Sequence, residues 1–343
     1  LSFSLEVLGW STSWADTFAP HAAGGLTPGR VARVDRGRCD VLTASGPVRA
    51  ESARADVCTG DWVALSGHYV HAVLPRRTAL VRAAASGVSS GQTLAANVDV
   101  VAVVVPATTG VDLGRAERLL ALAWESGARP VVVLTKTDAC PDVGGVLDAL
   151  AGAAVGVDVL PVSAVAGEGL DALTAELTGT VVLVGQSGVG KSTLATALTG
   201  VDLAVQDVRG VDGKGRHTTV RRELIPLRGG RGVLIDTPGL RGVGLYDASD
   251  GLTLAFADVE ALAGGCRFTD CGHASEPGCA VRAAIDAGQL PERRLESYRK
   301  LLRENEWAAA RTDARLRAER RRSERVAHRQ YRNQWNRPGH GRR

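Results

Sequence analysis

No apolar run in this 343-residue chain approaches the roughly 18 residues that a membrane-crossing helix needs. The first stretch, Leu1 to Trp14, has neither a basic segment nor a long apolar one, so nothing in it reads as a secretory signal. A cytoplasmic protein without a membrane partner is therefore expected. Disulfides are equally unsupported: of six cysteines, Cys39, Cys58 and Cys140 stand singly and only Cys266, Cys271 and Cys279 cluster, which favours metal binding in a reducing compartment. No repeat of solenoid period is present. Nor is the net charge of +4 spread along the chain, because eleven Arg against two Glu from Arg315 to Arg343 give that tail +9 and leave −5 for residues 1–314.

What is present is an ordinary globular composition, 45% apolar and 23% charged, in a chain long enough for two or three domains. Short β-rich segments, Arg30–Val34, Asp40–Leu42, Val48–Ala50, Trp62–Leu65 and Tyr69–Val73, alternate with Gly- and Asp-containing turns. Five strands in so short a span suit a small barrel of the OB type, core about 29–75, within an N-terminal region 1–75. Such barrels often bind nucleic acid, and Trp62 and Tyr69 are the available aromatics; the alternative is a barrel that only packs on its neighbour. A linker, 76–93, leads into 94–246, where the Val- and Leu-rich runs Val98–Val105, Pro130–Leu134, Val157–Val162 and Thr180–Val184 read as strands buried on both faces. Helical spacing over Leu113–Ser126 and Gly169–Leu177 makes this region a doubly wound α/β domain. Residues 247–314 are expected as a mostly helical third domain, and 315–343 as an Arg-rich tail.

Within the α/β region, Gly185-Gln186-Ser187-Gly188-Val189-Gly190-Lys191-Ser192 follows an apolar strand and opens a helix, the context a phosphate loop requires. Its glycines let backbone N–H groups and the helix N-terminus, through Thr193, cradle phosphates. Lys191 should reach the β- and γ-phosphates and the Ser192 hydroxyl should ligate Mg²⁺. Asp236 ends a further apolar run, Gly232–Ile235, and is placed to hold that ion through water, while the Gly239 N–H can meet the γ-phosphate. Between them Gly215-Arg216-His217-Thr218-Thr219 offers Thr218 or Thr219 as a second protein ligand to Mg²⁺.

Thr135-Lys136-Thr137-Asp138 follows the strand 130–134. Asp138 can accept from the N1–H and the exocyclic amine of guanine, a pattern adenine lacks, and the Lys136 stem can pack along the ring. Ser163-Ala164 fits a second small loop touching the base. Asn usually stands where Thr135 does; without its carboxamide, the bridge between guanine N7 and the phosphate loop is expected to be lost, and specificity for GTP to survive in weaker form. The guanine reader also precedes the phosphate loop, the reverse of the usual chain order, which describes a circular permutation.

Further on, Cys266-x4-Cys271-x-His273-x5-Cys279 places three thiolates and one imidazole within fourteen residues. A closed Cys₃His set suits one structural, tetrahedral Zn²⁺ with no open position for catalysis.

With this motif order, a barrel before it and the Cys/His cluster after it, the chain resembles the ribosome small-subunit-dependent GTPase A (RsgA) family, from about Gly29 to near Trp307. The specific signatures are GRHTT at 215–219 and CRFTDCGHASEPGCAV at 266–281; Thr135 and the Arg-rich tail depart from it. The resemblance implies a GTPase of late small (30S) subunit maturation, stimulated by that subunit and released after hydrolysis. GTP, GDP and rRNA would be its partners, and the free chain is expected to be a monomer. The tail suits rRNA phosphates, or is a solvated extension. The residue after Gly239 is Leu240, not a water-orienting Gln, so unaided turnover should be slow, and His217 is a candidate proton acceptor, or else an exposed or RNA-contacting residue. A second reading is a GTP-gated RNA-binding chaperone with incidental hydrolysis; a third, an ATPase or kinase, is opposed by Asp138.

Overall fold

The structure, a computed structural model, describes residues 4–52, 56–83, 91–108, 110–202, 222–236, 244–245 and 247–312. A helix, α1 (Thr12–Ala23), precedes strands β1 (Thr27–Asp35), β2 (Arg38–Thr43), β3 (Gly46–Glu51), β4 (Trp62–Ser66) and β5 (Tyr69–Val73). The strands close in the order β1-β2-β3-β5-β4, with β3 and β5 meeting in parallel at Glu51 and Tyr69. Strand periodicity puts Val31, Cys39, Val41, Ala50, Val63 and Leu65 inside, and these form the barrel's own core. The expected barrel is therefore present.

Trp62 does not face solvent. It is fully buried, and Trp10 meets its ring at 4.7 Å, with Trp14 at 6.1 Å and Phe18 behind Trp10 at 5.8 Å. The spacing of Trp10, Trp14 and Phe18 repeats every four residues, so one face of the N-terminal segment docks on the barrel. Tyr69 remains exposed and Trp62 is spent on the core. The stretch expected as a linker contains β6 (Ala79–Ala83), which pairs antiparallel with β7 (Gly91–Ala96) in a separate ribbon.

Next come β8 (Val100–Pro106), α2 (Leu113–Glu125), β9 (Arg129–Thr135), α3 (Val143–Ala151), β10 (Val159–Val162), α4 (Leu170–Glu176), β11 (Gly179–Val184), α5 (Lys191–Thr199), β12 (Glu223–Pro226) and β13 (Gly232–Asp236). They build a sheet ordered β10-β9-β8-β11-β13-β12, parallel except for β12 on its edge. The Val-rich strands are covered on both faces. Val101, Val103, Val132, Leu134 and Val182 join a core with α2, while Val100, Ala102, Val131, Val133 and Val181 join another with α4 and α5. Every parallel strand ends at the same edge, where ligands of open α/β sheets bind.

Barrel and sheet share a buried cation. The Arg30 guanidinium, 1% exposed, donates to the carbonyls of Leu8 (2.6 Å), Gly60 (2.8 Å) and Asn97 (3.1 Å) and to the Thr180 hydroxyl on β11 (2.9 Å). Burial lowers its pKa to about 10, against the opposing pull of Asp99 and Asp61.

The last region holds α6 (Ser249–Ala255), α7 (Ala257–Ala263), α8 (Ala280–Asp286) and α9 (Glu292–Thr312). It is locked to α2. Gly251 lies so close that a Cβ there would stand 2.1 Å from the Ala121 carbonyl oxygen, and the Glu125 carboxylate accepts from the Gly251 N–H at 2.8 Å. From α9, Asn305 accepts from the Ala248 N–H (2.8 Å) and donates to Ser249 (3.1 Å).

Candidate functional site

The phosphate loop joins β11 to α5. Gly185, Gly188 and Gly190 have φ of 155°, 83° and 101°, and a Cβ on Gly185 would stand 2.6 Å from the Val104 carbonyl oxygen. Only glycine satisfies both demands at 185. Val189 is buried and anchors the loop, leaving Gln186, Ser187 and Gly188 exposed above it. The Lys191 ammonium donates to the carbonyls of Gly185 (2.8 Å) and Gln186 (2.6 Å). Burial lowers its pKa, and nearby Asp236, at the end of β13, opposes the shift. Ser192 and Thr193 are exposed in the first turn of α5. Oxygen donors at Ser192 and Asp236 thus lie at the sheet edge beside the loop, a donor type that suits Mg²⁺.

The segment following β9 is fastened to that loop by two side chains. Thr135, 3% exposed, donates through Oγ1 to the Val189 carbonyl at 2.6 Å and lies 3.3 Å from the Val105 carbonyl oxygen. Lys136, in the left-handed region at φ 60°, donates from Nζ to the Gly188 carbonyl at 2.7 Å. The expectation that Thr135 would break the bridge to the phosphate loop is thus corrected on the loop side. A hydroxyl on Cβ reaches Val189 because Gly190 brings the loop backbone close to it: a Cβ on Gly190 would be 3.6 Å from Thr135 Oγ1.

Asp138 sits in the short 3-10 turn Thr137–Ala139. Ser163, at the end of β10 and fully buried, donates to Asp138 Oδ1 at 2.6 Å and accepts from the Ala166 N–H at 3.0 Å. This fixes the carboxylate and the Ala164 loop relative to each other. His217, Thr218, Thr219, Gly239 and Leu240, together with the Arg-rich tail, lie outside the described residues.

Between α7 and α8 the ligand atoms of Cys266, Cys271, His273 and Cys279 lie within 4.8 Å of one another. His273 Nδ1 is 3.6 Å from both Cys266 Sγ and Cys279 Sγ, which are themselves 3.9 Å apart. Tetrahedral zinc with Zn–S near 2.3 Å and Zn–N near 2.0–2.1 Å separates such atoms by about 3.5 and 3.8 Å. Cys266, His273 and Cys279 match this spacing, and Cys271 completes the donor set within 4.8 Å. His273 takes a left-handed φ of 56°, and Glu276 steadies the turn by accepting from the N–H groups of Gly272 (3.0 Å), Ala274 (2.7 Å) and Ser275 (3.0 Å). Its own N–H and these three hold the Glu276 carboxyl below the usual carboxylate range. All six cysteines are free of disulfides.

Comparison with known proteins bears on the family of the chain. The RsgA GTPase family model matches residues 73–246. "Small ribosomal subunit biogenesis GTPase RsgA" of Streptomyces coelicolor is 60% identical over 332 residues, covering 92% of this chain and 90% of that one. Its namesake in Streptomyces avermitilis is 58% identical, covering 94% and 91%. Among solved structures, YjeQ from Thermotoga maritima aligns with a TM-score of 0.61 at 24% identity, over 81% of this chain and 98% of that one. YloQ, a circularly permuted GTPase, aligns with a TM-score of 0.59 at 22% identity, over 81% and 94%. At such identities the two structures speak for the fold.

Proposed function

The chain belongs to the RsgA GTPase family and is a GTPase, and we propose that it hydrolyses GTP while bound to the small ribosomal subunit during that particle's biogenesis. The observation that carries this reading is the meeting of the guanine and phosphate loops at one sheet edge, clipped together by Thr135 and Lys136. In this reading Asp138, steadied by Ser163, accepts from the Watson–Crick edge of guanine. Ala164 closes the base pocket. The N–H groups of Gly185 to Thr193 and the Lys191 ammonium bind the phosphates, Lys191 exchanging its two loop carbonyls for phosphate oxygens.

Mg²⁺, when bound, neutralises phosphate charge; Ser192, Asp236 through water and Thr218 or Thr219 would hold it. Gly239 would meet the γ-phosphate. Leu240 supplies no group that orients water, so the subunit completes the site, with His217 as the proton acceptor, and loss of the γ-phosphate leads to release. The Cys₃His cluster binds one structural Zn²⁺, and the free protein is a cytoplasmic monomer. No helix among the described residues is long and apolar enough to cross a membrane.

The test is GTP and ATP turnover with and without purified small subunits. Stimulation for GTP alone is expected. Tight GTP-dependent subunit binding without turnover would make the chain a nucleotide-gated chaperone, and preference for ATP would overturn the site assignment. His217→Ala should lower stimulated turnover far more than GTP affinity.

A further inference from the structure

The fastening of the guanine loop has a chemical consequence for which atoms of the base are read. A threonine hydroxyl carries one proton and two lone pairs. In Thr135 that proton faces two carbonyl oxygens, Val189 at 2.6 Å and Val105 at 3.3 Å, and the side chain is 3% exposed. The shorter contact commits the proton to the phosphate loop, and turning it away would leave a buried carbonyl without this donor. What remains on Oγ1 is acceptor capacity. Guanine N7 is itself an acceptor, so no productive bond can form between them.

Lys136 directs its ammonium to the Gly188 carbonyl at 2.7 Å, fastening the same loop a second time. The discriminating acceptor lies on the opposite edge of the base: the Asp138 carboxylate, held by Ser163 at 2.6 Å. Such a carboxylate demands the N1–H and amino donors of guanine and is indifferent to the imidazole side of the ring.

We propose that Thr135 is a positioning residue that ties the guanine loop to the phosphate loop and leaves N7 unread, so that this GTPase accepts guanine nucleotides lacking N7. The inference rests on the nucleotide reading above and specifies the substrate class of that site. An asparagine at 135 has two N–H donors in place of one, and can keep the bond to Val189 while offering the second to N7.

The experiment is calorimetric titration of the full chain, with zinc and magnesium supplied, using GDP and 7-deaza-GDP, in which a C–H replaces N7. The unaltered chain is expected to bind both within about threefold. Thr135→Asn is expected to prefer GDP by about three- to tenfold, the range given by one neutral hydrogen bond. Thr135→Ser keeps the hydroxyl and should stay indifferent, which serves if the Asn variant does not fold. A preference of the unaltered chain for GDP greater than threefold overturns the proposal, because some donor then reads N7. Failure to bind either nucleotide would instead count against the nucleotide assignment itself. Thr135→Val, which deletes the tether without adding a donor, should weaken both ligands equally; unequal loss also contradicts the proposal.

Discussion

Replacing Arg294 with methionine tests how the third domain is held to the GTPase domain. Arg294 is fully buried, yet it donates five hydrogen bonds: to Glu117 (2.8 Å), to both oxygens of Asp258 (2.9 and 3.0 Å), and to the carbonyls of Ala153 (3.1 Å) and Ala255 (2.6 Å). Its guanidinium also lies 4.2 Å from the centre of the Phe256 ring. Burial depresses the pKa, but Asp258 and Glu117 outweigh it and hold the pKa above the ordinary arginine value. Methionine fills much of the volume but none of the bonds.

The losses differ in kind. Asp258 is 23% exposed and can recover water, whereas Glu117 is fully buried and keeps only Arg293, itself 38% exposed. Removing one partner of a buried pair costs about 3–5 kcal/mol because the other charge is stranded. With Arg293 still in place, the lower part of that range applies to Glu117. Two carbonyls losing a donor, at about 1 kcal/mol each, bring the total to about 5 kcal/mol. Urea unfolding followed by helix circular dichroism reads this as a lower midpoint at unchanged slope. Adding Glu117→Gln removes the stranded charge, and the double variant should be more stable than the two single losses summed, by about 2 kcal/mol. A loss below about 1 kcal/mol for Arg294→Met, or strict additivity in the cycle, would refute the assignment of this pair as the fastening of the two domains.

Other outcomes follow from the same geometry. Cys271→Ala should abolish stoichiometric zinc, measured by plasma emission, and melt the turn between α7 and α8 while the phosphate site still binds GTP; retention of zinc at one per chain would overturn the ligand set. Gly185→Ala should abolish nucleotide binding with little loss of helix signal, since its Cβ would meet the Val104 carbonyl oxygen. Ser163→Ala frees Asp138 from its 2.6 Å donor and should weaken GTP by about ten- to a hundredfold in equilibrium titration, the range for a hydrogen bond to a charged group. Unchanged affinity would show that Asp138 holds its place without Ser163.

The architecture was legible because runs such as Val100–Pro106 and Gly179–Val184 are too apolar to be anything but strands covered on both faces. The phosphate loop and the Cys/His cluster were legible as contiguous motifs whose spacing carries the chemistry. What escaped depends on partners distant in sequence. Trp62 reads locally as an aromatic available to a ligand, and only docking of Trp10 and Trp14 shows that it is core. Arg30 and Arg294 look like any surface arginine, since no local pattern says which guanidinium will meet buried carbonyls. The 79–96 ribbon was hidden by the Arg, Ala, Ser and Gly composition of its surroundings. Thr135 was read by what it lacks, and its hydroxyl proved to have an acceptor 54 residues away in the chain.

Arg30 bears on how the molecule comes apart. One guanidinium satisfies carbonyls from the N-terminal segment, from the barrel and from the approach to the sheet, and a hydroxyl on the central strand β11. Pulling the barrel away would strand these acceptors and expose Trp62 at once, so no intermediate separation is cheap. The barrel is therefore less an appended module than a side wall of the nucleotide-binding fold. Unfolding begun at the N-terminus should run into the strand that carries the phosphate loop as one cooperative event.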